Sequence, residues 1–96
     1  NMENTNELYE IIENLSPTKL NKKIDDNTNI MEDLHFDSIA IVEFFVEIER
    51  KYGVDFTELP DFLDRISCVK YIQRGIDELI LKNRSSANSG MKEQKG

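Results

Sequence analysis

The sequence predicts an all-α fold, four helices around one core, with a long first loop and a short third helix. Apolar residues return at the helical period in three segments, and four glycines and two prolines in 96 residues suit helices rather than disorder. A chain of this length makes one small domain with no room for a second core, so each helix must contribute a full apolar stripe.

Leu8, Ile11, Ile12 and Leu15 follow the i, i+3, i+4, i+7 pattern of a one-sided helix that starts near Asn4 or Thr5. Ser16-Pro17 ends it, because the residue before a proline is pushed out of the helical region. Residues 16–36 form a connection rich in Lys, Asn and Asp, and loops of that length usually serve a function. Ile24, Ile30, Leu34 and Phe36 are spaced to pin it to the core. Asp37 or Ser38 opens the second helix, which runs to about Tyr52 and stops at Gly53, a residue free to take φ > 0. A short third helix is expected around Leu59–Arg65, with Pro60 in its first turn. Ser67 is positioned to cap a fourth, whose Val69, Ile72, Ile76 and Leu79 make a core stripe through about Lys82. Gly75 costs that helix about 1 kcal/mol relative to alanine, which suggests close packing at this point. From Asn83 onward no apolar period remains, so the chain divides into a domain over residues 4–82 and a disordered tail over residues 83–96.

Charge narrows the partners. The net charge is −7, and between Lys23 and Arg50 there are eight acids with no Lys or Arg. Nucleic acid is repelled by such a surface, whereas a basic protein surface is attracted to it with a salt-dependent rate. No run approaches the ~18 apolar residues of a membrane span. The single cysteine, Cys68, excludes an internal disulfide and fits a reducing cytoplasm; a small core residue is its expected role.

The second helix carries two apolar stripes. Ile41, Phe44, Phe45, Ile48 and Tyr52 fall within about 50° of one direction and form the core face. Ile39, Val42 and Val46 fall together roughly 100–160° away, bordered by Glu43, Glu49 and Arg50, with Glu47 further round. One wide apolar face is enough for a small bundle, so the second stripe is suited to a partner. The alternative is a central helix buried all round.

Ser38 stands at the start of this helix, and three chemistries are open to it. A hydrolase has the residue types in His35, Asp37 and Ser38, but no G-x-S-x-G elbow and no second loop to form an oxyanion hole. A calcium loop is suggested by Asp25, Asn27 and Asn29, but the required glycine is Ile30 and the required glutamate is Phe36. The third is covalent attachment at Ser38. Asp33-Leu34-His35-Phe36-Asp37-Ser38-Ile39, then Val42-Glu43, then Glu49-Arg50-Lys51-Tyr52-Gly53, resembles the attachment site of the acyl and peptidyl carrier protein family. There the pattern is roughly D-L-G-x-D-S-[LI], followed by an amphipathic helix that ends E-x-x-[FY]-G. The resemblance extends over residues 5–80. His35 stands in place of the usual glycine, leaving either a different turn or a left-handed histidine.

That resemblance implies a four-helix carrier-protein bundle that is not itself an enzyme. Ser38 would receive 4′-phosphopantetheine from coenzyme A through a phosphopantetheinyl transferase, with Asp37 in support. The arm would carry an acyl or aminoacyl group as a thioester between loading enzymes and downstream synthases with basic docking surfaces. The setting would be fatty-acid, polyketide or nonribosomal-peptide synthesis. Ile39, Val42 and Val46 fall where family members present docking side chains, and Glu43 and Glu47 where they present carboxylates. The resemblance further implies a free-standing, cytoplasmic monomer with no metal. Surface ion pairs contribute about 0–1 kcal/mol each, which suits brief encounters with several enzymes. The other reading from the same residues is a helical adaptor that keeps this fold without the arm and binds partners through the second helix.

Overall fold

A computed structural model of the chain describes residues 2–16 and 23–93, with side chains in 7–16 and 23–84. Its elements are α1 (Met2–Leu15), α2 (Ser38–Tyr52), a 3₁₀ turn (Phe56–Glu58), α3 (Phe62–Arg65) and α4 (Val69–Glu93), with no strand among the described residues. The bundle is all-helical, as the apolar periods require. α1 packs on both α2 and α4, and their stripes meet in one core that includes Leu8, Ile12, Phe44, Ile48, Ile72, Ile76 and Leu79. Gly53 closes α2 at φ 72, with its N–H donating to the Glu49 carbonyl. Pro17, expected to end α1, lies outside the described residues, but α1 does stop at Leu15.

The long loop is held from both sides. Ile24, Ile30, Leu34 and Phe36 are all buried, as their spacing predicts. Its backbone also caps α4: the Val69 N–H donates to the Thr28 carbonyl at 3.0 Å and the Lys70 N–H to the Asp26 carbonyl at 2.9 Å. These bonds satisfy helix-start donors that would otherwise lack partners. Ser67 therefore does not cap α4 as expected; its hydroxyl donates backward to the Asp64 carbonyl at 2.7 Å. Cys68 is partly buried, and its thiol lies 3.2 Å from the Asp26 carbonyl.

Three boundaries differ from the sequence reading: α1 begins at Met2 rather than near Asn4 or Thr5. The short helix expected around Leu59–Arg65 is present but begins later, at Phe62, and a separate 3₁₀ turn precedes the segment, capped by Asp55, whose side chain accepts from the Thr57 N–H at 3.0 Å. Pro60 lies between the turns rather than in the first turn of a helix. This arrangement buries Phe56 and Leu59. At the other end, α4 runs on past Lys82 to Glu93, where a disordered tail was expected, and residues 94–96 lie outside the described residues. Among the side chains described, Leu79 is the last buried residue of α4 and Leu81 is exposed.

Gly75 is a point of close approach. A Cβ there would lie 2.7 Å from a Leu59 methyl and 2.8 Å from the Phe56 ring. The Phe56 ring in turn stacks on Phe45, with centroids 5.6 Å apart, and Phe62 meets Phe45 edge-on at 5.7 Å. This aromatic column fills the interior between α2, α3 and α4.

Candidate functional site

The end of the long loop aims Ser38. Asn29 starts a helical turn, its side-chain oxygen accepting from the Met31 and Glu32 N–H groups at 2.9 and 3.0 Å. The Asp33 carboxylate closes the turn by accepting from the Asn29 N–H at 2.9 Å. The turn ends with the Phe36 N–H donating to the Ile30 carbonyl at 3.0 Å, a closure that needs a left-handed residue just before it. His35 supplies it at φ 63, exposed between the buried Leu34 and Phe36. Of the two options left by the sequence, the left-handed histidine is the one observed. Histidine is among the residues enriched in this region, although a side chain there still costs about 1–2 kcal/mol.

Asp37 follows in extended conformation as the N-cap of α2, its Oδ1 accepting from the Ala40 N–H at 2.9 Å. Ser38 is then the first helical residue, exposed, and no described residue bonds its hydroxyl. Its oxygen stands at the positive end of a 15-residue helix with no acid in the first turn. No hydrogen bond joins His35 to Ser38 among the described residues, so the geometry supplies no base for a hydrolase. Asp25 and Asn29 direct their side-chain oxygens at backbone N–H groups of their own turns.

The second face of α2 is open. Ile39 is 69% exposed, Val42 60% and Val46 49%, so the helix is not buried all round. Glu43 is exposed beside them. Glu47 is half-buried and paired with Arg50 at 3.0 Å, which offsets part of its charge.

Beside Ser38 lies an apolar groove of about 520 Å³ that sequence reasoning did not anticipate. One wall is Phe36, Ile41, Val42 and Phe45; the other is Phe62, Leu63 and Ile66, with Met31 at the rim. Asp37 and Ser38 stand at its mouth. Met31 and Leu63 are large exposed apolar residues whose only sequence signal was an apolar type outside any periodic stripe.

The four-helix fold thus presents an uncommitted serine at a helix start, next to an apolar groove. The chain belongs to the phosphopantetheine attachment site family, whose pattern matches residues 7–70. It is also 47% identical, over 38 residues, to the acyl carrier protein of Lactobacillus acidophilus. That alignment covers 40% of this chain and 44% of the relative, so less than half of the relative's length is matched. No solved structure is a significant match. Membership of that family implies a domain that accepts a covalent 4′-phosphopantetheine. The residues present fit that group: the Ser38 hydroxyl is exposed and no described residue bonds it. Among the described residues no helix is long and apolar enough to cross a membrane.

Proposed function

We propose that this protein carries acyl intermediates on a phosphopantetheine arm attached at Ser38, within a working unit formed by residues 4–82. The observation that carries this reading is the exposed Ser38 at the mouth of a groove lined almost wholly by apolar side chains. When bound, the arm supplies a terminal thiol that holds cargo as a thioester. The chain's own residues do the rest. Asp37 orders the helix start so that the Ser38 hydroxyl faces solvent, and its charge guides the transferase. The groove favours apolar acyl cargo over a charged aminoacyl group, because burying a charge without a partner is costly. That preference supports fatty-acid or polyketide-type synthesis over nonribosomal-peptide synthesis as the setting.

Ile39, Val42 and Val46, with Glu43 and Glu47, form the docking face for the transferase and for acyl-handling enzymes with basic surfaces. Three exposed apolar side chains beside two carboxylates support that assignment. The test is intact mass after incubation with coenzyme A and a broad-specificity transferase. The expected result is one phosphopantetheine adduct, absent in Ser38→Ala. An unmodified wild type would return the protein to the adaptor reading, and an adduct that survives Ser38→Ala would move the site elsewhere.

A further inference from the structure

α3 is a thin wall between two open spaces. On one side Phe62, Leu63 and Ile66 line the groove that begins at Ser38. On the other lies a second hollow of about 470 Å³, bordered by Asp61, Asp64 and Arg65 and closed by Tyr71, Arg74 and Glu78 of α4. The helix is four residues long and none of them is buried. Its apolar hold is the edge of Phe62 against Phe45 and the buried Ile66 that follows.

Among the described residues, the side-chain hydrogen bonds from α3 to α4 come from Arg65. Arg65 Nε donates to the Asp61 carboxylate at 3.0 Å, at the start of α3. Its two terminal nitrogens cross the hollow to the two carboxylate oxygens of Glu78, at 3.0 and 3.2 Å. This is the paired geometry that a guanidinium can make and an ammonium cannot. The Arg65 side chain is 20% exposed, so the tie is partly shielded from water yet still open to salt.

We propose that Arg65 is a positioning residue for the cargo, tying α3 to Glu78 and so fixing the width of the groove beside Ser38. With the tie released, the wall swings into the hollow behind it and the acyl chain loses its cover. Rising ionic strength favours that release. The inference rests on the acyl-carrier reading above, and its test separates the two.

The experiment uses the holo-protein loaded with an octanoyl or an acetyl thioester and follows cleavage by hydroxylamine at low and high salt. The acetyl form, too short to reach α3, corrects for any effect of salt on the chemistry. In the wild type the octanoyl thioester should be cleaved several-fold more slowly than the acetyl one at low salt, with that advantage shrinking at high salt. Arg65→Gln and Glu78→Gln should lose most of the advantage at every salt concentration, and Arg65→Lys should restore part of it. Glu78 is exposed, so its variant keeps the test sound if Arg65→Gln fails to fold. Glu78→Gln protection equal to wild type, with the same salt dependence, overturns the role of Arg65 and leaves the acyl-carrier reading standing. Equal cleavage of both thioesters in the wild type overturns cargo in the groove, and this inference with it.

Discussion

Replacing Gly75 by alanine sets two effects of known size against each other. In a helix interior alanine is favoured over glycine by about 1 kcal/mol. Against that gain, the new Cβ would lie 2.7 Å from Leu59 Cδ1 and 2.8 Å from Phe56 Cε1. The leucine methyl is the end of a flexible side chain and can turn aside. The Phe56 ring cannot, because it is fully buried and stacked on Phe45. Overpacking of this kind costs about 1–3 kcal/mol. Steric cost wins, leaving a net loss of about 1 kcal/mol, or roughly 4–8 °C in Tm for a domain of this size. Thermal unfolding followed by circular dichroism reads it directly. Adding Leu59→Ala removes one contact but leaves the ring, so the penalty of Gly75→Ala in that background should shrink without reversing. A Gly75→Ala protein that melts at or above the wild-type temperature would refute the reasoning, since the aromatic column behind the groove would then be soft.

Three further outcomes are expected. Asp37→Ala removes the N-cap of α2 and should cost about 1 kcal/mol. Asp37→Asn keeps the acceptor and loses only the charge, so it should fold like the wild type but load more slowly. Wild-type loading by Asp37→Asn would remove any role for the charge. Val46→Asp and Glu43→Lys should leave the melting temperature nearly unchanged, since both side chains are exposed, while slowing transfer by a partner enzyme at low salt. Normal transfer would mean that docking uses another face. At high pH, burial, the hydrogen bond to Asp26 and the nearby charges of Asp26 and Asp25 push Tyr9 up to about 12 from 10.0. A hydroxyl whose pKa is raised on folding contributes stability that is complete below pH 10.0 and is lost as pH rises toward about 12. Tyr9→Phe should therefore flatten part of the fall in Tm over that range. Burial, with Glu7 next, raises Tyr52 to about 12 as well, so some slope remains. Identical Tm–pH curves for variant and wild type would show that Tyr9 takes no part.

The proposed arm site and the proposed docking face lie within a few residues of each other on α2. At Ser38 the helix start is capped by the Asp37 carboxylate. From Glu43 on, the same helix carries the carboxylates of the proposed docking face. Glu47 is already paired with Arg50 at 3.0 Å, whereas no ion pair engages Glu43 among the described residues. Of the two, Glu43 is the more available to a basic partner.

The sequence by itself determined what is encoded within a few neighbouring residues. The stripes of α1, α2 and α4, the stop at Gly53, a start of α2 at Asp37 or Ser38 and the outward Ile39, Val42 and Val46 all follow from period and local hydrogen bonding. The close approach at Gly75 was legible too, because a glycine in a strong helical stripe needs a reason. The left-handed His35 was readable only as one of two options, since the choice depends on the turn before it closing through the Phe36 N–H and the Ile30 carbonyl. Tertiary structure alone decided the rest. Ser67 did not reveal that the cap of α4 would come from the Asp26 and Thr28 carbonyls, some 40 residues away along the chain. A helix of four residues cannot display a period, so the boundaries of α3 and its tie through Arg65 to Glu78 were invisible. The groove is made where residues 36–45 meet residues 62–66. Neither segment holds it alone, because a concave apolar surface is a property of packing between distant parts of the chain.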